Sequence, residues 1–164
     1  MGLEFERKFL VNKEKLPALS QGFKIIQGYL AETPSVRFRI INDRVVITVK
    51  EYYPEGKRFE LETPAKELSE DEQAKLRQLA ICQPIVKIRY KIKAAGLLWE
   101  IDVYQAENEG LITAEAELPA VGYPIIFPAW VNAEREITAD LKYSNLNLGR
   151  RPFSQWASLH KSQK

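Results

Sequence analysis

The amino-acid sequence predicts a mainly β fold of the α+β class: about eight antiparallel strands closed into a barrel-shaped tunnel, with a few helices packed outside. Three observations lead there. Apolar and polar residues alternate with period two in segment after segment. One segment alone combines helical spacing with a strong helix-start signal. On one face of the alternating segments the side chains are charged, and like charges recur two residues apart.

The elements follow in order. Alternation runs through Leu3–Val11, Phe23–Ala31, Val36–Ile41, Arg44–Lys50, Arg58–Glu62, Ile85–Lys93, Leu97–Tyr104 and Leu111–Leu118, each read as a strand with two unlike faces. Asn42-Asp43 predicts a tight hairpin turn, and Pro54-Glu55-Gly56 and Ala95-Gly96 predict two more. Ser69 and Glu72 form a capping box, followed by Ala74, Leu76, Leu79 and Ala80 at helical spacing. A weaker helical pattern covers Lys13–Leu19, the proline-rich stretch Pro119–Ala129 reads as irregular, and Phe153 and Trp156 suggest a short helix in the tail. Without a linker, repeat or low-complexity tract, residues 1–164 are expected to form one domain, with 150–164 as a C-terminal tail or plug. Closing the strands into a barrel would also remove exposed edges.

Composition narrows the function. The chain has 164 residues, a net charge of +2, 45% hydrophobic and 28% charged residues. Its longest uncharged stretch, Leu118–Ala133, is interrupted by Pro119, Pro124 and Pro128, so no bilayer span is expected. The opening residues contain no apolar signal segment, and Cys82 is the only cysteine. Both predict a cytoplasmic protein without an internal disulfide. One cysteine and one histidine, His160, exclude a zinc site of the usual kind. Any metal must be held by oxygen, which points to magnesium, manganese or calcium.

The charged face defines the chemistry. It carries the acids Glu4, Glu6, Glu60, Glu62, Glu100, Asp102, Glu115 and Glu117, and the bases Lys8, Arg37, Arg39, Lys50, Lys87 and Arg89. The residues between them are apolar, Phe5, Phe38, Val49, Phe59, Leu61, Ile88, Ile101 and Ala116 among them, with Arg7 as the exception. If the apolar residues pack outward against helices, the charges face a common interior. Enclosed charges need a partner or an ion. Acid pairs offer oxygen ligands to a hard cation, and basic pairs offer donors to phosphate oxygens. A nucleic-acid barrel would show exposed aromatics among bases, whereas here acids outnumber bases. No nucleic-acid or membrane partner is expected.

Glu4-Phe5-Glu6-Arg7-Lys8 resembles the Glu-x-Glu-x-Lys signature of the triphosphate tunnel metalloenzymes, the CYTH superfamily. Arg37-Phe38-Arg39, Thr48-Val49-Lys50, Glu60-Leu61-Glu62, Lys87-Ile88-Arg89, Glu100-Ile101-Asp102 and Glu115-Ala116-Glu117 follow in the family's order, over residues 1–150. Gln27-Gly28-Tyr29-Leu30 is similar to its second strand, and Lys142-Tyr143-Ser144-Asn145 to its C-terminal Tyr-Ser-Asn element. The resemblance implies a small inorganic triphosphatase that splits a phosphoanhydride bond with Mg2+ or Mn2+, as a monomer or homodimer. It leaves open a nucleoside triphosphatase, a class IV adenylate cyclase or a thiamine triphosphatase. A polyphosphate-binding module is the non-enzyme alternative.

The implied roles are specific. Glu4, Glu6, Glu115 and Glu117 would hold the main metal, and Glu62, Glu100 and Asp102 a second one. Glu60, Glu62 and Asp102 would orient the attacking water. Arg37, Arg39, Lys87 and Arg89 would grip phosphate, with Lys8 and Lys50 adding charge at the reacting group. Arg58, Lys91 and Lys93 read as rim charges, Tyr52 and Tyr53 as hairpin tyrosines near a mouth, and Trp99 and Trp130 as outer-wall packing. Cys82 reads as a packing residue.

Overall fold

The computed structural model describes residues 5–54 and 58–156. Ten strands form one antiparallel sheet: β1 Phe5–Val11, β2 Phe23–Ala31, β3 Ser35–Ile41, β4 Arg44–Tyr52, β5 Arg58–Glu62, β6 Lys66–Glu67, β7 Ile85–Ala94, β8 Leu97–Tyr104, β9 Ile112–Leu118 and β10 Val131–Glu136. They pair in the order β10-β1-β9-β8-β7-β2-β3-β4-β5, with β6 also on β4. Among the described residues this path is open, because no pairing joins β5 to β10. The antiparallel sheet matches the expectation, and the hydrogen-bonded closure of the barrel is not among its pairings. No helix among the described residues is long and apolar enough to cross a membrane.

Two strands escaped the sequence. β6 is two residues long, and β10 ends in Glu134-Arg135-Glu136, which breaks apolar alternation. β10 needs no second apolar face, because it is an end strand that pairs with β1 alone. It also accounts for Arg7, the charge on the apolar face of β1. Arg7 Nε donates to Glu136 Oε1 at 2.8 Å and Nη2 to Oε2 at 2.7 Å, a two-pronged pair at the sheet edge.

Helix α1, Glu70–Leu79, starts at the expected capping box: Glu72 N donates to the Ser69 hydroxyl and Ser69 N to Glu72 Oε1, each at 3.2 Å. Gln73 pins it to the β3–β4 turn by donating to Asp43 Oδ1 at 3.0 Å. That turn holds Asn42 and Asp43 at φ 50° and 62°, the left-handed pair that a two-residue hairpin requires. Over Lys13–Leu19 only a 3-10 turn forms, at Lys13–Lys15. Its residues are exposed, and an unburied stretch this short has no packing to hold a longer helix.

The apolar faces are covered separately. Phe38, Ile40 and Val45 on β3 and β4 pack under Leu68 and Leu76 of the α1 region. Gly28 on β2 lets the Phe38 ring lie against the backbone, since a Cβ there would sit 2.4 Å from that ring. Phe9, Trp99, Ile101, Ala114 and Ala116 pack under Phe127 and Trp130 from the proline-rich stretch. Trp99 and Trp130 meet edge to face at 5.6 Å, the outer-wall packing expected.

The end of the chain packs differently. Tyr143, Leu148, Phe153 and Trp156 join Leu10, Ile85, Tyr104 and Leu111 in one apolar cluster. Leu10, Ile85 and Tyr104 follow the phase of Lys8, Lys87 and Asp102, so the cluster sits on the charged face, at one end of it. Ser144 caps helix α2, Asn145–Arg150, by accepting from Asn147 N at 3.2 Å. Asn145 Oδ1 accepts from the Tyr104 hydroxyl at 2.9 Å. The Tyr-Ser-Asn element thus fastens the chain's end to that face with an apolar ring, a cap and a hydrogen bond.

Candidate functional site

Strand register assembles the charged face. On β1, Glu6 stands opposite Glu117 and Lys8 opposite Glu115 of β9. Glu100 stands opposite Glu115, and Asp102 opposite Thr113. Arg89 pairs with Asp102 and Lys87 with Tyr104. β2 brings no charge. It places Ile25 opposite Lys87, Gln27 opposite Arg39 and Tyr29 opposite Arg37. Beyond β3, Arg37 faces Thr48, Thr48 faces Glu62, and Lys50 faces Glu60. All the expected inner-face residues within the described range therefore share one face, whereas Glu4 lies outside the described residues.

That face is concave. Lys50 on β4 feels the charge of Glu6 on β1, Arg39 on β3 that of Glu100 on β8, and Lys87 on β7 that of Lys8 on β1. These strands are not neighbours along the sheet. Interaction between strands this far apart along the sheet fits a curled, tunnel-like surface.

At the floor lies a buried knot. Lys87 is 1% exposed and Asp102 5%. Lys87 Nζ donates to Asp102 Oδ2 at 2.8 Å, while Arg89 Nε and Nη2 reach Oδ1 and Oδ2 at 2.8 and 2.9 Å. Arg89 Nη1 adds Glu100 Oε2 at 2.5 Å. Burial alone would raise the Asp102 pKa, but its two cations outweigh it and hold the carboxyl well below the usual range. Burial pushes Lys87 down to about 8 against the pull of Asp102. Burial would also lower Arg89, yet Asp102 and Glu100 keep it firmly charged.

On the opposite wall the acids are engaged more loosely. Glu62 accepts from the Thr48 hydroxyl at 3.1 Å and lies 3.6 Å from Arg39. Glu60 lies 2.8 Å from Arg58 and 3.8 Å from Lys50. Burial lowers the pKa of Lys50 and of Arg39, and in each case the charge of Arg37 adds to it. Arg37 and Arg39 each keep a buried Nε with no hydrogen-bond partner. Tyr29, Ser35, Arg37, Thr48, Lys50 and Tyr52 line a cavity of about 110 Å³.

Other expectations fall out of register and exposure. Tyr52 and Tyr53 are exposed at 69% and 47%. Lys91 faces Glu100 in the ladder but lies over the Phe23 ring at 6.0 Å, away from the Tyr52 cavity. Cys82 is partly buried, and burial pushes its thiol up, which suits a packing residue. The sequence assigned no role to Gln27, Tyr29, Thr48, Tyr104 and Thr113, although Thr48, Gln27 and Tyr29 lie in the family-like motifs; all but Tyr29 are almost fully buried polar side chains on the inner face. Their phase in the alternation was the available signal, and charge drew attention away from it.

Among the described residues no three histidine, cysteine or carboxylate side chains gather around a common point. Yet Glu6 faces Glu117 and Glu100 faces Glu115 across the strands. Like charges directly opposite destabilise a sheet unless a cation lies between them. The donors are all carboxylate oxygens, which fits a hard divalent ion.

The antiparallel sheet thus carries acids and bases together on one inner face, with two arginine Nε atoms left without a hydrogen-bond partner. The CYTH domain family model matches residues 2–153. The chain belongs to the CYTH domain family. It is 37% identical over 160 residues to an inorganic triphosphatase from Acetivibrio thermocellus, covering 95% of this chain and 99% of the relative. The solved structure of the inorganic triphosphatase NE1496 matches with a TM-score of 0.67 and 26% identity, covering 91% of this chain and 95% of that one. A second structure of NE1496, described as a hypothetical protein, gives 0.66 and 25%.

Proposed function

We propose that this protein hydrolyses inorganic triphosphate to pyrophosphate and phosphate with the help of a divalent metal. The observation that carries the reading is the pair of buried, unpartnered Nε donors on Arg37 and Arg39, on the inner face that also holds Lys50, Lys87 and Arg89. A buried donor without a partner costs about 1–3 kcal/mol, so these groups are built to meet an anion. The 37% identical inorganic triphosphatase supports the same substrate.

Glu6, Glu115 and Glu117, with Glu4, would hold Mg2+ or Mn2+, which supplies charge neutralisation at the phosphate oxygens and an activated water. Arg37, Arg39 and Lys50 grip the chain of phosphates. Lys8 adds charge at the departing group. Water attacks a terminal phosphorus, the bridging P–O bond breaks, and pyrophosphate leaves with the electron pair. Glu60 and Glu62 stand where they can orient that water. Asp102 takes a different part from the ligand role implied by the resemblance: both its oxygens are occupied by Lys87 and Arg89. We assign it to holding those two cations upright, and Glu100 to supporting Arg89.

The test is phosphate release from triphosphate, pyrophosphate, ATP, GTP and thiamine triphosphate with magnesium or manganese, with cyclic AMP followed on ATP. Triphosphate should give the highest kcat/KM. A better rate on ATP, or cyclic AMP as main product, would overturn the reading.

Lys87 adds a pH dependence. Its pKa of about 8 means that the free enzyme loses this positive charge as pH rises through that value. The profile of kcat/KM, which reports the free enzyme, is expected to fall on an alkaline limb near pH 8. Lys87→Arg keeps its charge, so the limb should move upward. An unchanged limb in that variant would remove Lys87 from the anion site.

A further inference from the structure

Four neutral hydroxyl-bearing residues line the cavity between Arg37 and Lys50: Tyr29, Ser35 and Thr48 on the strand faces, and the exposed Tyr52. Thr48 spends its hydrogen on Glu62. Tyr29 does not spend its own. Its phenolic oxygen accepts from Gln27 Nε2 at 3.3 Å. Arg37 stands directly opposite Tyr29 in the strand pairing, and its guanidinium can only donate. With the Gln27 amide donating to it and a guanidinium beside it, the Tyr29 hydroxyl has its hydrogen to offer to a ligand in the cavity.

We propose that Tyr29 is a specificity-determining residue that donates its hydroxyl hydrogen to an unesterified terminal phosphoryl group seated between Arg37 and Lys50. The proposal rests on the triphosphatase reading and extends it to the choice among triphosphates. A free terminal phosphoryl presents three non-bridging oxygens, and an esterified one presents two. The cavity supplies the Arg37 fork, the Lys50 ammonium and the Tyr29 and Ser35 hydroxyls, enough donors for three oxygens. Inorganic triphosphate has a free phosphoryl at each end, one to react and one to occupy this subsite. A nucleotide reacting at its free end offers the subsite an ester. One donor is then left without an oxygen, and a site with an unmet buried donor discriminates strongly. Burial raises the Tyr29 pKa despite Arg37 and Gln27, so the phenol keeps its hydrogen at neutral pH.

The experiment compares wild type with Tyr29→Phe, which deletes the hydroxyl and keeps the ring. The kcat/KM for inorganic triphosphate is expected to fall about tenfold, the effect of one hydrogen bond to a charged group. Most of it should appear in KM, while kcat/KM for ATP changes less than about twofold and the melting temperature stays put. Calorimetric binding of inorganic triphosphate in metal-free buffer should weaken by a similar factor. Ser35→Ala should shift both measurements the same way by a smaller factor. Equal losses on both substrates, or no loss on triphosphate, overturn the subsite. Failure of wild type to bind or cleave triphosphate overturns the triphosphatase reading itself, and the subsite with it. A variant that melts early and loses both activities through kcat would make Tyr29 structural and overturn the proposal.

Discussion

Glu117→Gln and Glu6→Gln are expected to lower kcat/KM for triphosphate by about 10–100-fold at saturating metal, with little change in melting temperature. The two carboxylates face one another on β9 and β1. In the absence of a cation they repel, so a neutral amide should leave the fold intact or slightly steadier. With a cation the amide is a weaker, uncharged ligand. The loss should be accompanied by a rise in the metal concentration needed for half-maximal rate. Near-normal activity in both variants would remove this pair from the metal site.

Asp102→Asn has the larger effect on stability. Asp102 is the shared partner of Lys87 and Arg89 beneath the lumen. Breaking a buried ion pair from one side typically costs about 3–5 kcal/mol, because the remaining charge stays buried. The lower end is expected here. Lys87 already lies near a pKa of 8 and can shed its proton, and Arg89 retains Glu100. Urea unfolding at pH 7 should show a reduced midpoint with an unchanged slope. Because the loss of the carboxylate drives Lys87 neutral, raising the pH toward 9 should narrow the gap between variant and wild type. A midpoint equal to wild type would mean that Asp102 does not hold these cations.

Much of this was readable in the sequence because period-two alternation is a strict code. Once Glu-x-Glu and Arg-x-Arg are placed on strands, each pair must share a face. Phe23–Ala31, Arg58–Glu62 and Leu97–Tyr104 are strands with the predicted bounds. What alternation cannot encode is pairing across the chain. Nothing local in Arg7 announces Glu136, 129 residues away. Nor does anything local say that Lys87 and Arg89 both bond to Asp102. β10 stayed hidden because an end strand needs only one partner. The phenol of Tyr29 is uncharged and so gives no signal of chemistry in the sequence, although it lies in phase with Gln27 on the face where Arg37 and Arg39 stand.

The place of β1 in the sheet has a consequence for how the molecule forms. Neighbours such as β3–β4 and β7–β8 are joined by two-residue hairpins, and such contacts close quickly. β1 instead sits between β9 and β10, with Phe9 facing both Ala114 and Glu136. Its seat does not exist until β9, Ile112–Leu118, has been made. Closure over such a separation is slow, since its entropy must be lost before any contact compensates. A growing chain would therefore hold β3, β4 and β7, with their arginines and lysines, while Glu6 and Lys8 still wait outside. β10 pairs with β1 alone and cannot dock before it, so the charged face is completed only when β1 returns to β9.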